Sequence, residues 1–205
     1  KYYPKSRPQM CDYVVRVGHY WLLIDATDRA IPTDVVAGVS GVSGLDLELD
    51  RVLTGRKAKQ LDSTVNLLRR HMDDLTGKPT DPDAVFIPIV ATPQAGLPWM
   101  HIVGVEATAK LSKRGLLQAP DILPAALMNP KDFSLLERQA ESRGVSAIES
   151  LVEWRCGQWA NWGFDAHLHQ TGLRLDATVR ERRAAARILQ HVARLSESNI
   201  ASRRT

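Results

Sequence analysis

The chain has 205 residues, 44% of them hydrophobic, 24% charged and 6% aromatic, with a formal charge of +4. That composition excludes a disordered tail, a collagen-like fibre and a disulfide scaffold, and it suits one domain with a sizeable core. Apolar runs such as Val85–Val90 fall far short of the roughly 20 residues a membrane span needs, so no membrane partner is expected.

Residues 1–10, with Pro4 and Pro8, read as an extended basic loop, because proline denies it helix. Tyr13–Val17, the Gly18-His19 turn and Tyr20–Ile24 predict a β-hairpin. The second strand is apolar on both faces, as a central strand of a covered sheet requires. Residues 30–50, with Gly38, Gly41 and Gly44, predict a flexible surface loop; the Gly-Lys-Ser/Thr ending of a phosphate loop is missing. From about Asp46 to Leu75 the pattern is helical, with Leu61, Val65, Leu68, Met72 and Leu75 on one buried stripe and Gly77 and Pro79 as the stop. Val85–Thr92 predicts a buried strand, His101–Ala107 a shorter strand, and Ile122–Met128 a further strand closed by Asn129-Pro130. Asp132–Arg143 predicts a helix with Phe133, Leu136 and Ala140 inward. Ser146 with Glu149 predicts a capping box for the next helix, to about Arg155. Asp176 predicts the cap of a last helix to about Leu195, with Val179, Ala186, Leu189 and Val192 on its apolar side. The order predicts an α/β fold, a mixed central β-sheet flanked by helices. Its α/β core spans 1–155, and 156–205 is an aromatic linker plus a basic C-terminal helix packed on or beside it.

Charge is uneven. Arg174–Thr205 carries eight Arg against Asp176, Glu181 and Glu197, a net of +5, while the first 173 residues net −1. Confined to one segment, the basicity reads as a solvated helix face or as a phosphate-binding arm, with Arg182, Arg183 and Arg187 at its centre. Cys11 and Cys156 have no CxxC or zinc spacing and read as buried small hydrophobes in a reducing compartment, with cytoplasm the default.

The chemistry centres on two carboxylates. Asp12 opens the first hairpin strand and Asp25 ends the second, thirteen residues on. A tight turn at Gly18-His19 pairs residue 12 near residue 25, so both acids can converge on one hard cation. A cation between two acids, with a base nearby, is the minimum for activating water against a phosphodiester.

Gln9-Met10-Cys11-Asp12, the hairpin and Leu22-Leu23-Ile24-Asp25-Ala26-Thr27 resemble the core of the PD-(D/E)XK (restriction-endonuclease-like) nuclease superfamily. The Pro88 strand and the Asp132–Glu137 stretch are similar to degenerate bacterial members. The resemblance covers about residues 1–155, through motifs of low sequence specificity. It implies a restriction-endonuclease-like fold, a Mg²⁺ or Mn²⁺ ion at Asp12 and Asp25, and DNA as the partner. It also implies a lysine where Thr27 stands, to orient the attacking water and stabilise the phosphorane. A Thr hydroxyl carries no charge and cannot replace that lysine. The superfamily's usual Glu comes from a helix before the hairpin, which here would precede Lys1, so the sequence is expected to begin inside a longer chain. Within the resemblance the lysine can migrate to the following helix. Lys57 and Gln60 lie one turn apart on one side of that helix, and Thr64 extends the ridge. Against this, Lys57 and Lys59 fit solvated helix residues better, and Lys5 or Arg7 could reach the phosphate instead.

Weaker signals remain. His167 and His169 share a face only in a strand and lack a third ligand, so they read as surface or core. His19 sits at an exposed turn, and Ser40, Ser43 and Ser63 lack a nucleophile context. Trp154, Trp159, Trp162 and Phe164 could stack bases but fit a core or interface plug better. Three readings follow: a Mg²⁺-dependent endonuclease-like domain, a catalytically inactive nuclease-fold domain that binds nucleic acid or a protein, and an interaction domain unrelated to nucleic acid.

Overall fold

The computed structural model describes residues 10–29, 32–77, 81–93, 101–173 and 176–202. Lys5, Arg7 and the rest of the expected basic loop before Met10 lie outside the described residues, as does Pro79.

Four strands form one mixed sheet in the order β1-β2-β3-β4. β1 (Tyr13–Val17) and β2 (Tyr20–Ala26) make the hairpin, in the register Tyr13↔Ile24 to Val17↔Tyr20. Gly18 supplies the turn's positive φ of 63°, which side-chain-bearing residues adopt at a cost. β2 is central: Trp21, Leu22 and Leu23 are all buried, because β3 (Val85–Ala91) pairs with it in parallel on its other side. β4 (Ala126–Met128) pairs in parallel with β3. This strand is shorter than the expected 122–128. Ile122 makes only an isolated bridge to Phe86, and Pro124, which has no N–H, interrupts the ladder.

The crossover from β2 to β3 differs most from expectation. Residues 30–50 are not a loop throughout: α1 (Thr33–Val36) and α2 (Gly41–Leu49) are helical. Burial of Leu49, and of Val52 and Leu53 just after it, outweighs the cost of about 1 kcal/mol that each helical glycine carries. The single helix expected from Asp46 is broken. A π turn at Asp50–Thr54 leads into Gly55, and α3 (Arg56–Thr76) starts there. A Cβ at Gly55 would stand 2.3 Å from the Asp50 carbonyl oxygen, so only glycine fits. Leu61, Val65, Leu68 and Met72 are buried as expected, but Leu75 is 52% exposed. The reason is a kink at His71 (φ −137°), which turns the last turn of α3 out of phase with the stripe.

His101–Ala107 is not a strand but the start of α4 (His101–Lys113). Val103, Ala107 and Leu111 are buried four residues apart while Ile102 and Val105 are exposed, a helical period that outweighs the β-branched composition. α5 (Pro130–Arg143) is capped by the Asn129 side chain in a reciprocal box with Asp132. Phe133 and Leu136 are partly buried, but Ala140 is exposed; Asp132 and Gln139 hold the innermost positions. α6 (Ser146–Cys156) has no side-chain cap, so the expected Ser146–Glu149 box is absent. Its start is closed instead by backbone bonds, Ala147 to Gly144 and Ile148 to Val145.

α6 and α7 (Phe164–Gln170) pack on α5 and on each other. Arg155 is 1% exposed and donates to the Pro124, Ala125 and Ala160 carbonyls. Trp154 and Phe164 are fully buried, as the plug reading expects, whereas Trp162 is 45% exposed. Cys11 is buried but Cys156, at the end of α6, is exposed. α8 (Val179–Ser202) is capped by Thr178 with Glu181, not by Asp176. On the expected apolar side of α8, Val179 and Leu189 are 41% and 69% exposed and Ala186 is exposed too, while the Val192 side chain lies outside the described residues. Bonds from the first turn of α8, Arg180 to Glu137 and Glu181 to Arg138, tie it to α5. Among the described residues no helix is long and apolar enough to cross a membrane.

Candidate functional site

The hairpin register sets the site. Continuing Tyr13↔Ile24 by one step places Asp12 opposite Asp25. Successive side chains of a strand alternate in face, so Asp25 shares the face of Trp21 and Leu23, the face that α3 covers. Asp12 accepts a hydrogen bond from the Ala26 amide at 2.8 Å, which holds its carboxyl below the usual range. The two carboxyl groups are near enough for the Asp12 charge to act on Asp25. Burial pushes Asp25 up to about 6; the Lys57 ammonium opposes that shift and the Asp12 carboxylate adds to it.

Lys57 stands in the first turn of α3. Its Nζ donates to Asp25 Oδ1 at 3.0 Å and to the Ala26 carbonyl at 2.5 Å. Asp25 is fully buried, and its Oδ2 has no hydrogen-bond partner. One turn further along α3, Gln60 is buried and donates through Nε2 to the Met10 carbonyl at 3.3 Å. The Thr64 hydroxyl donates to the Gln60 carbonyl and accepts from the Cys11 amide at 2.9 Å. α3 therefore grips the strand entrance at residues 10 and 11 and the strand exit at 25 and 26 with one ridge of side chains.

The other expected positions lie apart from this cluster. Thr27 continues the ladder through its backbone, donating to the Ala91 carbonyl at 2.9 Å, while its hydroxyl accepts from the Arg29 amide. Nothing places a charge at residue 27. Arg182, Arg183 and Arg187 lie on α8; the Arg182 guanidinium bonds the Ala177 carbonyl, and Arg183 and Arg187 are exposed. Arg56 and Lys59, on the ridge of α3 beside that of Lys57, line an open cleft of 660 Å³ with Gly55, Arg114 and Leu116. His167 and His169 sit on a helix rather than a strand, with His167 buried and His169 exposed. His19 is exposed against Tyr20.

Sequence reasoning missed the part played by Ala26, whose amide and carbonyl bind Asp12 and Lys57. Backbone groups leave no trace in residue identity. Cys11, buried as expected, stands beside the acids: burial pushes its thiol up, and the charges of Asp25 and Asp12 add to this.

The donors gathered here are carboxylate and amide oxygens, which suit a hard divalent cation. The unpartnered, buried Asp25 Oδ2 is where such an ion would replace a missing donor. Among the described residues, no group of three or more His, Cys, Asp or Glu side chains is arranged to hold a metal. Set against protein-family models, curated proteins and solved structures, the chain matches none. Its chemistry is therefore read from its own residues.

Proposed function

We propose that this chain is a metal-dependent nuclease domain of the restriction-endonuclease-like kind, acting on DNA, with its lysine moved from residue 27 to residue 57. The observation that carries the reading is the Lys57 ammonium seated between Asp25 Oδ1 and the Ala26 carbonyl, its charge also felt by the Asp12 carboxylate. A hairpin followed by a helical crossover to a parallel strand supports the fold side of the same reading.

Asp12 and Asp25 would hold Mg²⁺ or Mn²⁺, which when bound polarises a phosphoryl oxygen and lowers the pKa of water. Lys57 contributes a positive charge that Thr27 cannot, next to where a phosphorane would gather negative charge. Asp25 fixes that ammonium in place, so the charge is set before substrate arrives. Arg56 and Lys59 add cationic surface on the neighbouring ridge of α3, and Arg183 and Arg187 add more on α8. Such residues attract a phosphate backbone without regard to sequence.

The test is nicking of supercoiled plasmid by the full-length protein with Mg²⁺ or Mn²⁺. Asp25→Ala is expected to abolish nicking. Lys57→Ala is expected to lower it by about 100-fold or more, the size of a lost transition-state charge contact. Nicking that persists in Asp25→Ala overturns the assignment. Absence of any cutting, with salt-sensitive DNA binding weakened by substituting Arg182, Arg183 and Arg187, leaves a nuclease-fold domain that binds without cleaving.

A further inference from the structure

Two carboxylates are a thin ligand set for a divalent cation. Mg²⁺ is held in octahedral geometry by about six oxygens, several of them usually water. With no third acidic side chain joining Asp12 and Asp25 among the described residues, any further protein donor must be neutral.

Gln60 has the required features. It is 9% exposed and lies one turn beyond Lys57 on the same side of α3. Its Nε2 donates to the Met10 carbonyl at 3.3 Å, and that bond decides which end of the amide is oxygen. Oε1 is then left buried with no hydrogen-bond partner. Asp25 Oδ2 is in the same condition. The nearby amides are engaged elsewhere, Cys11 on Thr64 and Ala26 on Asp12, and the Lys57 ammonium gives two of its three N–H groups to Asp25 Oδ1 and the Ala26 carbonyl. A buried oxygen left without a donor destabilises a fold. Two of them, one on Asp25 and one on the ridge of α3 that carries Lys57, are explained together if a cation is their partner.

We infer that Gln60 Oε1 is the third protein oxygen donor to the divalent cation held by Asp12 and Asp25. This rests on the reading of the acid pair as a metal centre. An amide oxygen extends the ligand set without placing a third negative charge beside the two carboxyl groups.

The test is Mn²⁺ binding by isothermal titration calorimetry on the whole chain at neutral pH, with thermal unfolding followed in the absence of metal. Gln60→Leu is expected to weaken Mn²⁺ binding at least tenfold while leaving the metal-free melting temperature unchanged or higher, since the orphaned oxygen is gone. Gln60→Glu is expected to do the opposite, tightening Mn²⁺ and lowering the metal-free melting temperature through carboxylate repulsion. Asp25→Asn is expected to remove Mn²⁺ binding. If Gln60→Leu binds like the wild type while Asp25→Asn does not bind, Gln60 is no ligand although the metal centre stands. If Asp25→Asn binds like the wild type, or the wild type does not bind, the metal centre falls and the inference with it. Should Gln60→Leu fail to fold, Gln60→Glu decides alone, and affinity no tighter than wild type overturns the inference.

Discussion

Asp25 and Asp132 are buried carboxyls with the same tendency and different surroundings. Asp25 is opposed by the Lys57 ammonium, whereas Asp132 keeps only the Asn129 amide as a direct donor and feels Asp165 nearby; burial pushes each up to about 6. Asp132 gives the clearer pH experiment because it stands away from the acid pair. Its folded pKa lies above the unfolded value, so between about pH 4 and 6 the folded state binds more protons than the unfolded chain. Its contribution to stability is full at the acid end and is lost as pH rises through that window. Asp132→Asn keeps an oxygen for the Asn129 amide and removes the titration. In urea unfolding without metal, the variant is expected to gain on the wild type from pH 4 to 7, by on the order of 2 kcal/mol. A difference that stays flat with pH would show an ordinary carboxyl. The acid pair was legible from sequence because a two-residue turn fixes which strand positions face each other. The Lys57–Asp25 pair was legible only as one option among several, since it depends on where the crossover lands the first turn of α3.

At the scale of elements, the hairpin, β3 and the buried stripe of α3 follow from local pattern. Those errors that did arise have a common physical origin: composition was read where period or packing decides. Ile102, Val103 and Val105 carry β-branched side chains, yet a four-residue burial rhythm makes them helix. Three glycines suggested a loop, yet Leu49, Val52 and Leu53 pull the segment into the core as helix and π turn. Gly55 is the critical joint, because it sets where α3 begins and so where Lys57 stands. Gly55→Ala is expected to cost about 1–3 kcal/mol, the range for overpacking against fixed atoms. It is also expected to reduce plasmid nicking, as α3 must shift to clear the Asp50 carbonyl. A variant with unchanged melting temperature and unchanged nicking would show that the joint yields without moving Lys57.

Across the whole molecule, one guanidinium ties the end of α6 to the chain just before β4. Arg155 bonds carbonyls on both sides of the junction and lies over the Trp154 ring. Burial lowers its pKa to about 10, so it remains charged at neutral pH. Arg155→Leu leaves three carbonyls short of a donor and is expected to destabilise by about 3–5 kcal/mol. Lysine is expected to rescue little, having no planar fork to span them. Equal melting temperatures for the wild type and Arg155→Leu would remove Arg155 from this role. The sequence reading ended the core at this residue, because a tryptophan-rich stretch after a helix resembles a linker. Its place in the core, with Phe164 buried against Trp154, depends on contacts distant in the chain, which local pattern does not encode.

The Gly18-His19 turn has a consequence for how the acid pair could be lost. β1 has five residues, so the turn lies about 17 Å from Asp12 at a strand's rise of roughly 3.4 Å per residue. Yet its length sets the count between the two strands that the bonds at Met10, Cys11 and Asp12 then hold. One residue inserted there slips the ladder by a step and sends Asp12 to the opposite face of the sheet. Asp25, held by β3 and by Lys57, stays where it is. The acids would part with neither of them mutated and with the core intact. Loop-length variation, usually the most tolerated change in a protein, is at this tip a way to switch the site off.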